Sequence, residues 1–473
     1  FLMSHGSGSQ GVGGDNPYTR GIAAFVAGLA YERIPADVIA RIKLLILDSL
    51  GCALYGAELP WSRILMETLA ETDTSTGVSV WGTRRRLSAP HAALVNGTLV
   101  QSFELDDVHR VGVLHVGAVT LPALFAVAEM RPGMSGREML AAAVAGYEIG
   151  PRVGMCMGQE HIGQGWHSGA TVGVFSAVAG AARALRLMPE QAVHAIGVAG
   201  TQSAGLMAAQ FGAMVKRMHA GRSSQSGLYG ALLAERGFTG IVDVFENPYG
   251  GFCSTFSRST DRFDLAELTS GLGERWETTR IALKFYSCVG SNHSTLDAIR
   301  KMQDRRPFTE PEVAGIMVHG SQVTMDHVGW RYEPQGLTSA QLNLPYCVAT
   351  WLLEGDVFVE QFTEDKVHDA ERIRVSRKVA VQEDPAITAR GKAFRHMVRV
   401  VVTLADGTVM EETVEAPRGS EHSFAAAEDV IAKFRKLAGS RLPSPQVEQI
   451  IDGMMNAETL TNAADFVALL AER

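Results

Sequence analysis

Between Gln101 and Glu129 the chain reads QSFELDDVHRVGVLHVGAVTLPALFAVAE. Glu104, Asp106, Asp107, His109 and His115 fall within a dozen residues, and an apolar run from Val119 to Ala128 follows at once. An imidazole titrates near neutrality, and a carboxylate beside it favours and orients its charged form. Such groups in one short stretch suit proton transfer. A solvated loop before a core helix uses the same residue types, and these residues alone do not separate the two. Charge this dense is costly to bury, so a stretch leading from it straight into a buried segment needs a reason. A metal centre built from Asp106, Asp107, His109 and His115 has acceptable ligand types, but its spacing matches no standard site.

Four further polar clusters interrupt apolar surroundings. GQGWHSGATVG sets His167 between glycines at the head of an apolar run. A helix start there would offer free N–H groups to an anion, although a capped structural histidine fits as well. MVKRMHAGRSSQSG places Lys216, Arg217 and His219 directly after a long uncharged run, where a solvated helix end is the competing reading. KFYSCVGSNHSTLDA carries Lys284, Tyr286, Cys288 and His293 at a change of texture, in what is otherwise an ordinary boundary loop. SAQLNLPYCVATWLLEG puts Tyr346 at a helix start, a common place for a packed aromatic. There is no GxxxxGK[ST], HExxH or GxSxG motif. GSGSQG, near the N-terminus, has no strand before it, so P-loop, zincin, serine-hydrolase and Rossmann chemistries drop out.

The elements that must position these residues fall into two textures. From Pro17 to about Gly271 the pattern is helical. Ile39, Ile42, Ile46 and Leu50 recur at three- and four-residue steps after a start at Pro35, and Met139–Glu148, Val172–Leu187 and Pro189–Val198 read the same way. After Gly273, Val313–His319 and Arg372–Val381 are short and rich in β-branched residues. The alternation Val398, Val400, Val402, Leu404 before Asp406-Gly407, resumed at Val409–Val414, predicts a β-hairpin. With helical stretches at Ser294–Met302 and Tyr346–Leu353, this makes an α+β unit. From Ser423 the chain reads helical again, in a tail too small for its own core, so it is expected to return to the first domain.

At 473 residues two domains are the natural expectation. The net charge of −8 argues against nucleic acid or an anionic membrane as partner, and Arg84-Arg85-Arg86, the compact basic run, reads as a solvated face. Cys52, Cys156, Cys253, Cys288 and Cys347 are widely spaced with no CxxC, which suits free thiols in a reducing, cytoplasmic setting. Residues 1–16 are Gly/Ser-rich and read as a flexible arm rather than a signal peptide. The uncharged stretch Ala195–Val215 holds four glycines and several polar residues, which predicts buried helices broken by a turn rather than a membrane span.

Taken in order, E-L-D-D-x-H-x4-L-H, G-W-H-x-G-A, M-V-K-R-x-x-x-G, K-x-Y-x-C-x4-H and A-Q-x-N-x-P-Y resemble the MmgE/PrpD family, with APHAALVNG similar to its lead-in. The likeness runs from about residue 17 to the end. The family holds 2-methylcitrate dehydratases, cis-aconitate decarboxylases and an iminodisuccinate epimerase. ELDD, GWH, TQSAGLMAAQFGAMVKR, YGGF and KFRKLAG resemble the fungal decarboxylases in particular.

The resemblance implies a mainly α fold: a large all-helical domain (17–272 and 421–473) with a smaller α+β lid (273–420) inserted. It also implies a homodimer and a cofactor-free site, without metal, in the cleft between domain and lid. By motif the family's site positions fall on Glu104, Asp106, His115, His167, Lys216, His293 and Tyr346. The implied activity is lyase chemistry on a small di- or tricarboxylate, first decarboxylation of cis-aconitate to itaconate, then 2-methylcitrate-type dehydration or epimerisation. A catalytically dead carboxylate-binding scaffold is the non-enzyme alternative. Lys216 and Arg217 would supply cations for the acid groups, His115 or His167 would move the proton, and Asp106 would orient it. Glu104, Arg217, His293 and Tyr346 are expected to bind substrate. Glu104 stands where many members have Asp, Val108 where many have Thr, and Val116 where HPG is usual, so substrate identity does not carry over directly.

Overall fold

The computed structural model describes residues 16–472 apart from 159, 212 and 260, so the expected arm lies outside the described residues except for Asn16. The fold is mainly α. The Ala36–Gly56 helix, whose three- and four-residue periodicity is visible in the sequence, is buried on nearly every side from Ile42 to Leu54. Helices of this kind sit in the middle of a core rather than on its surface. Against it pack the helices Ala89–Val100, Val116–Met130, Gly136–Met157 and Ala427–Ala438, and the helices Gly173–Ala184 and Val215–Glu235 pack on the first three in turn.

Two glycine contacts bring the site-bearing helices together. A Cβ on Gly97 would stand 2.6 Å from Cα of Gly221, so the Ala89–Val100 and Val215–Glu235 helices cross at closest backbone approach. A Cβ on Gly117 would stand 2.0 Å from Oγ of Ser49 and 2.7 Å from the Tyr147 hydroxyl, which fixes the start of the Val116–Met130 helix against its neighbours. Side chains at either point would push the backbones apart. The uncharged stretch from Ala195 resolves into a helix ending at Gly200, a 3-10 turn at Met207–Phe211 and a new helix from Val215. Among the described residues, no helix is long and apolar enough to cross a membrane.

A four-stranded sheet is ordered Val379–Glu383, Val313–Gly320, Val398–Leu404, Val409–Val414; the first pair is parallel and the others antiparallel. Val398, Val400, Val402 and Leu404 are buried alternately along one strand, and the hairpin turns through Asp406-Gly407 with Gly407 at φ 85°. Leu296, Ile299 and Met302 of the Gly290–Arg305 helix share this second core with Ile316, Val400 and Val402. Val430, Phe434, Ile450 and Phe466, from residues after 424, belong to the first core.

Two sequence expectations need correcting. The segment expected as a strand over Arg372–Val381 is a helix from Ala370 to Ser376, and the strand starts only at Val379. Asp369 caps that helix by accepting from the N–H groups of Glu371 and Arg372, a signal that outweighs the β-branched composition. The expected all-helical part also contains a short ladder, Val78–Ser79 with Arg86–Leu87, and a second one joins its Val108–His109 to Ile281–Ala282 beyond the expected boundary. The second ladder ties the acidic stretch to the segment that leads into the second core.

Candidate active site

The acidic stretch forms the connection between the Ala89–Val100 and Val116–Met130 helices. Two of its residues adopt left-handed backbone, Glu104 at φ 56° and Val113 at φ 50°. Such conformations cost a non-glycine residue about 1–2 kcal/mol each, so the surroundings must hold them. They do so from distant parts of the chain. Lys433 Nζ donates to the Leu105 carbonyl at 2.8 Å, and Ser287 Oγ and Gln341 Nε2 donate to the Phe103 carbonyl at 3.0 and 3.2 Å. The Ser168 hydroxyl donates to the Val113 carbonyl.

Held this way, the three carboxylates part company. Glu104 meets three cations: Lys216 Nζ at 2.5 Å, Arg217 Nη1 at 2.7 Å and Lys284 Nζ at 3.5 Å. Burial pushes its carboxyl up, but these cations, Lys216 foremost, hold it well below the usual carboxylate range. Asp106 is fully buried and its Oδ2 lies 2.9 Å from Nδ1 of His115. Burial raises the Asp106 carboxyl, and the neighbouring imidazole more than reverses this. The two are close without being aligned as a hydrogen bond, and Asp106 Oδ1 has no hydrogen-bond partner among the described residues. Asp107 accepts from Gly117 N–H at 3.0 Å and from the Tyr147 hydroxyl at 2.8 Å, and burial pushes its carboxyl up to about 7.

His109 turns away as well, with Nε2 3.0 Å from Glu277 and Nδ1 accepting from Gly112 N–H. Of the four side chains weighed as metal ligands, Asp106 and His115 face each other, while Asp107 turns to Tyr147 and His109 to Glu277. Among the described residues, no group of three or more ligating side chains stands together.

His115 and Glu104 open on a cleft of about 410 Å³. Lys284 and His293 also line it, as do four residues absent from the sequence-based site: Arg110, His327, Arg395 and His396. Arg110 pairs with Glu421 through Nε at 2.9 Å and Nη2 at 2.7 Å, and its Nη1 donates to His396 Nδ1 at 3.0 Å. Arg110 sits inside the acidic stretch, but its partners lie some 300 residues away, and no local pattern announces them. His293 Nε2 lies 3.0 Å from the Cys288 carbonyl.

The remaining expected residues sit further back. Lys216 and Arg217 line an adjoining pocket of about 60 Å³ with Trp61 and Gln341, and Glu104 links them to the main cleft. His167 is buried beside His219, Nδ1 to Nδ1 at 2.9 Å, so one ring must donate and the other accept. Burial, then His219, lower the His167 imidazole to about 3, which leaves it neutral at pH 7. Tyr346 is not brought to the cleft. It is fully buried in the second core against Tyr332 and Phe362, with its hydroxyl donating to the Gln361 carbonyl at 3.2 Å. Its place at a helix start gave the aromatic packing reading, and the side chain follows that one.

A buried carboxylate backing an imidazole, at a cleft lined by cations, defines a site able to move a proton on a small anionic molecule. The MmgE/PrpD N-terminal domain matches residues 20–264 and the MmgE/PrpD C-terminal domain matches residues 286–457. The chain belongs to the MmgE/PrpD family. It is 35% identical over 471 residues to the cis-aconitate decarboxylase-like protein oryM of Aspergillus oryzae, covering 96% of this chain and 97% of that one. It is 33% identical to a cis-aconitate decarboxylase of Aspergillus terreus, covering 96% and 95%. Identity to the cis-aconitate decarboxylase of Mus musculus is 26%, covering 96% and 93%.

Proposed function

We propose that this chain is a cofactor-independent lyase that decarboxylates cis-aconitate, or a close analogue, to itaconate. The observation that carries this reading is the His115 imidazole on the cleft with the buried Asp106 behind it, in a chain similar end to end to proteins named for that reaction.

In this reading the C–C bond to the departing carboxylate breaks and its electron pair forms the new double bond. The old double bond shifts its pair to the far carbon, which takes a proton, and CO2 leaves. Charge developing toward the carboxylate on that far carbon is met by cations already in place, Lys284 among them. His115 supplies the proton, and Asp106, 2.9 Å from its Nδ1, fixes the ring at the edge of the cleft. His167, neutral at pH 7 and set back from the cleft against His219, is a positioning residue and not the acid. Lys216 and Arg217 act through Glu104, fixing its charge and position.

The same reading treats residues 273–420 as a lid over the cleft, supported by the separate second core. It includes a homodimer, expected as a doubled mass in sedimentation, and a cytoplasmic setting, which the free thiols of the five buried cysteines fit.

The test is cis-aconitate in D2O followed by proton NMR. The expected products are CO2 and an itaconate with one solvent deuteron at its saturated methylene, with activity unchanged after EDTA dialysis. Water release from 2-methylcitrate with no CO2 from cis-aconitate would replace decarboxylation by dehydration. No turnover of either acid would leave the scaffold-only alternative.

A further inference from the structure

Two sets of charge line the cleft. In the first, His115 leans on Asp106 and Lys284 on Glu104. In the second, Arg110 is engaged by Glu421 through two of its nitrogens and by His396 through the third. Because a guanidinium can only donate, His396 Nδ1 is the acceptor there, and the ring proton sits on Nε2. Arg395 belongs to this second set. It lines the cleft and lies close enough to Arg110 and Glu421 to feel both charges. Its guanidinium has no hydrogen-bond or ion-pair partner among the described residues. With Arg110 and Glu421 cancelling each other, the second set holds one uncompensated positive charge, and that charge is on Arg395.

We infer that Arg395 is a specificity-determining carboxylate anchor: its guanidinium fork binds an acid group of the substrate remote from the carbon protonated by His115, next to the Arg110–His396 pair. The inference rests on the polycarboxylate reading above. An uncompensated cation in a partly desolvated cleft is costly until an anion arrives, and a planar two-toothed donor matches a carboxylate better than a point charge does. Arg110 is then a positioning residue: bonded to Glu421 and His396, it holds that wall of the subsite without spending its own charge on substrate. A monoacid would leave Arg395 unpaired, so the site would favour acids with two or more carboxylates spaced to reach both sets.

The experiment measures calorimetric binding of tricarballylate, an unreactive saturated tricarboxylate, and steady-state kinetics with cis-aconitate, for the wild-type chain, Arg395→Gln and Arg395→Lys. Arg395→Gln is expected to weaken tricarballylate binding and raise KM about 10–100-fold, the loss typical of a charge-assisted hydrogen-bonded pair, with kcat within about 3-fold. Arg395→Lys, which keeps the charge but not the fork, should fall between the two. It carries the test by itself if the glutamine variant fails to fold. Wild-type binding and KM in both variants would overturn the inference while leaving the lyase reading intact. So would a fall in kcat with KM unchanged. A wild-type chain that neither binds tricarballylate nor consumes cis-aconitate would remove the polycarboxylate reading and this anchor together.

Discussion

Asp106 Oδ2 stands 2.9 Å from His115 Nδ1, nine residues along the same loop, with the carboxylate wholly buried and the imidazole at the edge of the cleft. The loop folds back on itself between the left-handed residues Glu104 and Val113, so the pair faces inward and outward at once. His115→Ala should lower kcat about 10²–10⁴-fold, and Asp106→Asn about 10²-fold, with small effects on KM. His167→Gln should cost less than about 10-fold and keep the wild-type pH profile, because a ring neutral throughout the working range has no titration to contribute. If steady-state pH profiles show the reverse, with His167 carrying the limb and His115 dispensable, the roles exchange.

Glu104 is the common counter-ion of Lys216, Arg217 and Lys284. Glu104→Gln leaves these cations without their carboxylate in a largely buried cluster. The expected cost is about 3 kcal/mol of stability, together with loss of activity. Lys216→Ala leaves Arg217 and Lys284 on the carboxylate and should cost less stability. Urea denaturation of the two variants ranks them, and equal midpoints would contradict the shared counter-ion.

Asp107 gives a pH-dependent stability of definite sign. Burial raises its carboxyl to about 7 in the folded chain, against about 3.9 in an unfolded one. The folded state therefore binds the proton more tightly, and this group's contribution is fully present below pH ~4 and lost as pH rises through 7. Asp107→Asn cannot ionise. Its stability relative to wild type should improve steadily between pH 4.5 and 7.5 in denaturation experiments. A difference that stays constant over that range would mean that Asp107 is ionised throughout.

Tyr346 is buried in the second core and does not line the cleft. Tyr346→Phe removes a hydroxyl whose partner is the Gln361 carbonyl. About 1 kcal/mol of stability should be lost, with KM and kcat near wild type. A large rise in KM in an otherwise stable Tyr346→Phe protein would return the residue to the site.

Much of this was legible along the chain. Periodicity marked the Ala36–Gly56 and Gly136–Met157 helices, because an amphipathic or buried helix writes its burial into three- and four-residue spacing. Alternation around Asp406-Gly407 marked the hairpin for the same local reason. The order of the polar motifs was enough to indicate the family. Where local signals competed, the reading failed. Arg372–Ser376 has strand-like composition, but the Asp369 cap and the packing of Arg372 onto Thr350 make it a helix.

The sequence by itself determined the helical majority, the hairpin, the acid and imidazole types at the site and the family, all of which depend on neighbours a few residues apart. Tertiary structure alone decided the pairing. It gave Asp106 to His115, Asp107 to Tyr147 and His109 to Glu277, although the four acids and imidazoles are almost adjacent in the chain. It joined Arg110 to Glu421, left Arg395 in the cleft without a side-chain partner among the described residues and withdrew Tyr346 into a core. The physical reason is that a side chain's charge state and role follow from burial and from the groups that meet it. Those groups come from helices brought together by close packing at points such as Gly97 against Gly221, which no spacing along the chain encodes.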